Sequence, residues 1–251
     1  MELALLPAVE SGYRPYAYSR SGAAGLWQFM PRTGRMLGLK QDWWYDGRRD
    51  LVAGTQAALS YLESLNKQMD GDWLHALASY NAGAGTLRKA IRKNNKRGRD
   101  TAYWALDLPG ETDAYVPRLL ALSSIIADPL RYGVELPDLP DRPAFMVMST
   151  GTQLDLGVAA RLSAVPVKEL ARLNAGLNRL ATPPKGPHRL LIPTEQAARF
   201  EEALAILPEQ ERLQRDRYKV KAGDSLSVIA KRHGLTTEAL KLANGLRKNR
   251  I

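Results

Sequence analysis

The segment from Glu10 to Pro31 carries the residues of this chain that are best suited to chemistry. Glu10 follows an apolar stretch that reads as a helix, and Gly12 is a suitable end for that helix. A carboxyl group there is partly removed from water and lies at the negative end of the helix dipole. Both effects disfavour its ionised form, so the sequence predicts a raised pKa and a general acid that works near neutral pH.

An isolated glutamate beside a turn is more often a surface residue than a catalyst. Short polar side chains nearby, which can orient a carboxyl group or a bound sugar, are Ser11, Ser19, Ser21 and Gln28. Serine-hydrolase chemistry lacks a His and an Asp at local spacing. The histidines do not have the spacing of metal ligands; they are His75, His188 and His233. We therefore expect no metal site and no cofactor.

The elements that would position Glu10 are helical. Asp50 is a suitable N-cap for a helix with one apolar stripe, and Asp72 for a helix from Trp73 to Asn81. A further long helix opens at Glu111 and is bent or interrupted at Pro117. We predict an all-α domain over residues 1–136, and a proline-rich linker over residues 137–144.

An internal repeat follows the linker. An apolar pattern that ends on Asn174 recurs seventy positions later and ends on Asn244. Each copy predicts a short strand (Phe145–Met148 and Tyr218–Lys221) and then two short helices. The first module spans residues 145–194 and closes with a strand at 189–193. After a helical linker at 195–216, the second spans 217–251 and looks truncated, because its closing strand should begin at Arg250.

Charge is concentrated near the end of the chain. Residues 212–251 hold eleven Lys and Arg against three acidic residues, which is +8 of the net charge of +10. Such a segment suggests an anionic partner, or a merely solubilising surface. No apolar run is long enough to span a bilayer, and we expect neither a signal peptide nor a lipid-anchor cysteine within these residues.

Four segments occur in the order and spacing of a known family. They are Glu10-Ser11, Gly25-Leu26-Trp27-Gln28, Tyr80-Asn81-Ala82-Gly83 and Glu111-Thr112-Asp113-Ala114-Tyr115-Val116. The chain thereby resembles the Slt-type lytic transglycosylases, and its two LysM-like repeats resemble those of the membrane-bound murein transglycosylases of D type. The resemblance covers nearly the whole chain. It implies a mainly α protein: a lysozyme-like catalytic domain followed by small βααβ modules.

The resemblance also implies roles for single residues. Glu10 matches the family's one catalytic glutamate, and Tyr115 the tyrosine beside it. The residues that match supporting or sugar-contacting positions are Ser11, Ser19, Ser21, Gln28, Tyr80 and Asn81. Trp27 stands where related sequences often have Met, which could alter a subsite wall, and Asp113 stands where a basic or neutral residue is expected.

The implied chemistry needs one carboxyl group rather than the usual pair. Glu10 would protonate the glycosidic oxygen between MurNAc and GlcNAc, and the 2-acetamido group would stabilise the oxocarbenium charge. The Glu10 carboxylate would then take the proton of the C6 hydroxyl and close a 1,6-anhydro ring. Tyr115 and Ser21 could polarise the acetamido group or hold Glu10.

The partner implied for the modules is the peptidoglycan glycan strand. The second copy matches the LysM sugar-binding loop at Gly223, Asp224 and Ser225, whereas the first copy lacks the Gly-Asp pair. The basic segment would favour an anionic wall or a membrane face. A periplasmic monomer associated with the outer membrane, without nucleic acid, is expected from the family alone.

Two other functions fit the sequence. A hydrolytic muramidase of goose-lysozyme type also uses one glutamate, but it leaves reducing ends. A protein that kept this scaffold and lost catalysis would bind peptidoglycan or, through its basic segment, nucleic acid. The aromatic run Trp43-Trp44-Tyr45 could stack on sugar rings, although at least one of its members should lie in the core.

Overall fold

The structure is a computed structural model, and it describes residues 2–213, 218–233, 237–244 and 246. It divides into two compact units, Met1–Leu213 and Gln214–Ile251. Each unit is described by itself. No helix in the described ranges is both long enough and apolar enough to cross a membrane.

Six α-helices form the first part of the larger unit. They are α1 (Glu2–Ser11), α2 (Pro31–Met36), α3 (Leu51–Gln68), α4 (Trp73–Ala82), α5 (Ala84–Asn95) and α6 (Gly110–Ala127), with short 3-10 helices at Tyr103–Ala105 and Leu130–Tyr132. The prediction of a mainly α protein is confirmed. Asp50 and Asp72 accept hydrogen bonds from first-turn backbone N–H groups of α3 and α4, as expected of N-caps.

One hydrophobic core holds these helices together. Its fully buried members include Leu6 of α1, Leu62 of α3, Leu87 of α5 and Val116 of α6. Helix α6 packs against both α1 and α4, so the helix that carries Glu10 is clamped on the helix that carries Tyr115. Pro117 lies inside α6 without ending it.

The first module follows the predicted order of elements. Strand β1 (Phe145–Ser149) pairs antiparallel with β2 (Arg189–Pro193), and helices α7 (Leu156–Ser163) and α8 (Val167–Leu173) lie between them in the chain. Asn174 fastens this arrangement, because its side chain donates to Leu170 O and exchanges two hydrogen bonds with the backbone of Leu191. Helix α9 (Thr194–Ala205) and a 3-10 turn at Glu209–Glu211 follow.

The first module is packed against the segment before α3. Asp46 N donates to Gly176 O at 2.8 Å, and Asn178 N donates to Trp44 O at 2.8 Å. A Cβ atom on Gly176 would lie 2.9 Å from the ring of Tyr45, so this approach requires glycine. Although the sequence between the helices and the module is proline-rich, the two parts of this unit share a hydrogen-bonded seam.

In the smaller unit, α10 (Leu226–Arg232) and α11 (Thr237–Ala243) pack together. Asn244 Nδ2 donates to Leu240 O at 2.8 Å, as Asn174 does to Leu170 O at 2.9 Å in the first module. Among the described residues, Tyr218–Lys221, where a strand is predicted, pairs with no neighbouring strand. A strand exists only with a hydrogen-bonded partner, and the partner expected at Arg250 lies outside the described residues.

Asp50 joins three elements at the seam. Its carboxylate caps α3, accepts the Tyr45 hydroxyl at 2.7 Å and pairs with Arg189 of β2 at 2.9 Å. The carboxylate and the guanidinium are both mostly buried. Loss of the Asp50 side chain would therefore leave a buried cation and a buried hydroxyl unpaired.

We predict that Asp50→Ala lowers the free energy of unfolding by about 3–4 kcal/mol, since a cap and a buried ion pair are lost together. The matched control Asp72→Ala, which removes the cap of α4, should cost about 1 kcal/mol. Urea denaturation of the full chain, followed by circular dichroism, measures both. Equal losses in the two variants would contradict the role of Asp50 at the seam.

Candidate active site

Glu10 is the penultimate residue of α1, and the local chain explains its position. Gly12 adopts a positive φ of 59°, which ends the helix at low steric cost. The buried hydroxyl of Ser11 lies 3.0 Å from the carbonyls of Pro7 and Leu26. Ser11 therefore fastens the end of α1 to the Gly25–Gln28 turn, and its hydrogen bonds go to backbone rather than to the Glu10 carboxyl.

Tyr115 is the hydrogen-bond partner of Glu10. Its hydroxyl donates to Glu10 Oε1 at 2.5 Å, across 105 positions of sequence. Tyr115 itself is buried in the core that α6 forms with α1. The sequence-based pairing of these two residues thus corresponds to a direct contact.

Burial raises the pKa of Glu10 to about 7. The hydrogen bond from Tyr115 opposes this shift, because it stabilises the carboxylate, whereas the negative charge of Glu111 reinforces it. Burial and the charge of Glu10 also raise the pKa of Tyr115, which keeps the hydroxyl a donor. The site therefore holds a carboxyl group that can exist in either protonation state near neutral pH.

The Gly25–Gln28 turn is shaped by Arg48, which lies outside the four motif segments. Gly25 has φ +83°, and a Cβ atom there would lie 1.8 Å from Arg48 O, so no other residue fits. Arg48 is buried and donates to Gly22 O at 2.7 Å and Phe29 O at 3.0 Å. Its charge is paired with Asp46 at 2.7 Å. The signal available in the sequence was an acidic residue, Asp46, two positions before Arg48, and that spacing does not indicate burial.

Gln28 and Trp27 leave the turn in different directions. Gln28 has a positive φ of 46°, and its side-chain amide donates to Gly25 O at 2.8 Å. Its Oε1 atom accepts no hydrogen bond from the described residues. Trp27 lies in the core and donates to Thr55 at 3.0 Å. The expectation that Trp27 alters a subsite wall is therefore wrong, since the residue as a whole is only 4% exposed.

Tyr80 and Asn81 form a second link to α6. The Tyr80 hydroxyl donates to Trp27 O at 2.8 Å, and burial, followed by the negative charge of Glu10, raises the pKa of Tyr80. Asn81 Oδ1 accepts a hydrogen bond from the buried Thr112 hydroxyl at 2.8 Å. Thr112 lies three residues before Tyr115, so one face of α6 holds both Asn81 and Glu10.

Ser19 and Ser21 are joined to each other rather than to Glu10. Their hydroxyl oxygens are 3.2 Å apart, and Ser19 Oγ accepts a hydrogen bond from Ala23 N at 2.9 Å. Ser21 is exposed. Asp113 lies in the first turn of α6, where a carboxylate is favourable beside the positive end of the helix dipole. That position explains the residue without a role in catalysis.

The module loops differ in what they leave accessible. Gly223 is exposed with φ +89°, and the hydroxyl of Ser225 caps α10. Asp224 accepts hydrogen bonds from Tyr218 and from Lys221 N, both at 2.8 Å, and the latter contributes most to lowering its pKa. In the first module, Arg212 occupies the corresponding loop by donating to the Thr150 carbonyl.

Several other candidate residues have structural partners. His75 Nε2 lies 3.0 Å from Thr101 O, and His188 Nε2 lies 3.0 Å from Pro183 O. Arg179 of the first module stacks over the ring of Trp43 at 3.4 Å, while Tyr45 is buried. Within the described ranges, no group of three His, Asp or Glu side chains could hold a metal ion.

Comparison with known proteins connects this geometry to a family. The Transglycosylase SLT domain matches residues 1–103, the LysM-like domain of lytic transglycosylase MltD matches residues 145–209, and the LysM domain matches residues 218–251. Membrane-bound lytic murein transglycosylase D of Escherichia coli strain K12 is 42% identical over 261 residues, which cover 100% of this chain and 58% of that protein.

Two more distant relatives carry the same activity in their names. The soluble lytic murein transglycosylase of Salmonella typhimurium strain LT2 is 32% identical over 121 residues, covering 45% of this chain and 18% of that protein. The crystal structure of the 70 kDa soluble lytic transglycosylase of Escherichia coli aligns with a TM-score of 0.40 and 29% identity, over 48% of this chain and 20% of that one.

The helical domain with its buried glutamate thus matches the SLT domain, and the whole chain is similar to a membrane-bound lytic murein transglycosylase D. The matches also give the order of domains in this chain: a LysM-like domain of the kind found in lytic transglycosylase MltD follows the SLT domain, and a LysM domain follows that. The chain spans 58% of the length of the Escherichia coli relative.

We predict that Glu10→Gln stabilises the fold increasingly as pH rises. Glu10 titrates at about 7 in the folded chain against an ordinary value of 4.5, so the folded state binds the extra proton between these values. Its contribution to stability is therefore complete below about pH 4.5 and is lost as pH rises through about 7. The variant should gain up to about 3 kcal/mol on the parent between pH 5 and pH 8.

Urea denaturation at the two pH values measures this gain. Glu202→Gln, an exposed position on α9, controls for the loss of one negative charge and should show no such pH-dependent gain. A constant difference between Glu10→Gln and the parent across this range would contradict a raised pKa for Glu10.

Proposed function

We propose that the chain cleaves the β-1,4 bond between MurNAc and GlcNAc of peptidoglycan as a lytic transglycosylase. The observation that carries the proposal is the buried Glu10 carboxyl, with a pKa of about 7 and the Tyr115 hydroxyl as a donor at 2.5 Å. Such a group can donate a proton and later accept one at the same pH. The SLT domain supplies the family context.

In the first step, protonated Glu10 donates its proton to the glycosidic oxygen, and the bond from that oxygen to C1 of MurNAc breaks. The 2-acetamido group stabilises the positive charge that develops at C1. Burial favours this step, because it keeps Glu10 protonated, and the Tyr115 hydrogen bond stabilises the carboxylate that remains.

In the second step, the Glu10 carboxylate takes the proton of the C6 hydroxyl, and O6 bonds to C1. The product is a 1,6-anhydro-MurNAc end, and no water is consumed. Proximity favours this route over hydrolysis, because the hydroxyl that attacks already belongs to the sugar that carries C1.

Gln28 and Asn81 are the proposed sugar-contacting amides. Protein contacts occupy one end of each side-chain amide: Gln28 Nε2 donates to Gly25 O, and Asn81 Oδ1 accepts from Thr112. Among the described residues, Gln28 Oε1 and Asn81 Nδ2 have no partner. Each amide is thus held by the protein at one atom and offers the other to a ligand.

The rest of the chain is assigned in the same proposal. Residues 1–136 perform the chemistry, residues 137–144 and 195–216 connect, and the modules at 145–194 and 217–251 bind glycan. The exposed loop at Gly223 is the better sugar-binding candidate, since Arg212 fills its counterpart. We place the protein in the periplasm at the outer membrane, as a monomer whose basic C-terminal segment faces an anionic wall or membrane.

We predict that Glu10→Gln lowers the rate of peptidoglycan cleavage on the order of a thousandfold, because the amide cannot exchange the proton. Mass spectrometry of digested sacculi should show anhydro-MurNAc ends from the parent and from the Glu202→Gln control. Reducing ends from the parent would instead identify a muramidase. Equal cleavage by parent and Glu10→Gln would show that Glu10 is not the acid.

We predict that Tyr115→Phe moves the pH profile of kcat/KM. The hydrogen bond from Tyr115 lowers the pKa of Glu10, so its removal raises that pKa. Since cleavage needs protonated Glu10, activity should persist to a pH about half a unit to one unit higher than in the parent. The descending limb of the profile measures the shift.

Tyr103→Phe is the matched control for this shift. Tyr103 is also buried. Its hydroxyl donates to the backbone carbonyls of Thr112 and Asp113, which lie on α6 as Tyr115 does. Its loss should leave the limb where it is. A descending limb that stays in place in Tyr115→Phe, or moves equally in both variants, would refute the assigned role of Tyr115.

A further inference from the structure

Helix α5 carries a second concentration of charge, far in sequence from the basic C-terminal segment. Residues 1–211 have a net charge of only +2, but residues 84–100 hold seven Lys and Arg against one Asp. The low net charge of residues 1–211 as a whole therefore conceals a strongly basic segment. The six cations on α5 and the turn after it are Arg88, Lys89, Arg92, Lys93, Lys96 and Arg97.

The helical period gathers these cations on one side. They recur as adjacent pairs every four residues, which confines them to about half of the helix circumference. The opposite side packs into the core through Leu87, Ala90, Ile91 and Asn94. All six cations are exposed, and five of them line a shallow groove of about 360 Å³: Lys89, Arg92, Lys93, Lys96 and Arg97. We call these six residues the α5 patch.

Little of this charge is neutralised within the protein. Lys93 pairs with Asp107 at 2.7 Å, and Arg88 donates to the neutral amide of Gln68 at 2.9 Å. In the part of the chain that the structure describes, no acidic side chain pairs with Lys89, Arg92 or Lys96. Like charges at this density repel one another, so a surface of this kind is stabilised by an external anion.

Two exposed tryptophans are carried by elements that contact α5: Trp73 by α4, and Trp104 by the segment before Asp107, the ion-pair partner of Lys93. Trp73, at the start of α4, is 44% exposed, and Trp104 is 64% exposed. The segment 100–105 joins them to α5: Asn94 donates to the carbonyls of Asp100 and Ala105, and His75 contacts the carbonyl of Thr101. Tryptophan prefers the boundary between water and lipid, where its ring is apolar and its N–H is hydrated.

From the cations and tryptophans together, we propose that the α5 patch docks the protein on the surface of an anionic phospholipid bilayer. The six cations meet the headgroup phosphates, and Trp73 and Trp104 enter the interface. The apolar side of α5 is already used by the core, so the helix lies against the surface and does not insert. Isolated carboxylates of peptidoglycan stem peptides match this charge density less well than a continuous layer of phosphates. The proposal is independent of catalysis.

Vesicle sedimentation with the full chain tests the proposal. The parent should bind vesicles made of equal parts phosphatidylcholine and phosphatidylglycerol, and not vesicles of phosphatidylcholine alone. The variant Lys89→Gln/Arg92→Gln/Lys96→Gln should bind on the order of a hundredfold more weakly, since each cation contributes about a fivefold factor. Circular dichroism should show an unchanged fold, because all three side chains are exposed.

The matched control removes the same charge elsewhere. Lys219→Gln/Lys221→Gln/Lys231→Gln changes three exposed lysines of the smaller unit and should retain most of the binding. Parent-like binding by the α5 variant overturns the proposal. Loss of binding in the control alone assigns the membrane contact to the C-terminal segment and overturns it as well.

A second comparison separates a membrane from a soluble polyanion. Trp104→Ala and Trp73→Ala should each weaken vesicle binding severalfold but leave the binding of soluble polyphosphate unchanged. Polyphosphate binding by the parent without vesicle binding would overturn the membrane assignment. Unchanged vesicle binding in both tryptophan variants would also contradict the docking geometry proposed here.

Discussion

The state of the Glu10 carboxyl depends on two requirements. It must be buried enough to keep a proton near neutral pH, and it must have a hydrogen-bond donor that stabilises its ionised form. The packing of α1 on α6 meets both requirements, because it removes the carboxyl from water and brings the Tyr115 hydroxyl to 2.5 Å. The two effects on the pKa oppose each other, and burial is the larger. Core residues such as Leu6 and Val116 have no proposed contact with substrate. They nevertheless control the pKa of Glu10, because they hold the two helices together.

A chain of buried contacts connects this site to the first module. Arg48 holds the Gly25–Gln28 turn through backbone carbonyls and is itself paired with Asp46. The segment that carries Asp46 is hydrogen-bonded to Gly176 and Asn178 of the module, and Asp50 is paired with Arg189 of β2. The first module thus stabilises the segment from which the site turn is held. Its own loop is filled by Arg212, which fits a bracing role better than an open binding surface.

The two repeats separate hydrogen bonds that depend only on a local helix from those that need a distant strand. Asn174 and Asn244 make the same hydrogen bond to a carbonyl four residues earlier, at 2.9 Å and 2.8 Å, because that contact depends only on the helix itself. Asn174 makes two further bonds to Leu191, which exist because β2 lies beside it. The strand predicted at Tyr218–Lys221 depends on a partner strand in the same way, and periodicity cannot supply that partner.

Much of the local structure was decided by the sequence alone. The caps at Asp50 and Asp72, the helical class, the elements of the first module and the pairing of Glu10 with Tyr115 follow from short-range rules or from motif resemblance. Tertiary structure decided the remainder: Trp27 became a core residue, Ser11 a backbone fastener, and Arg48 the buried support of the site turn. It also left the basic side of α5 exposed and placed α5 against the elements that carry two exposed tryptophans. These outcomes depend on contacts between residues far apart in the chain and on which side of each helix is buried, and neither is encoded in spacing along one segment.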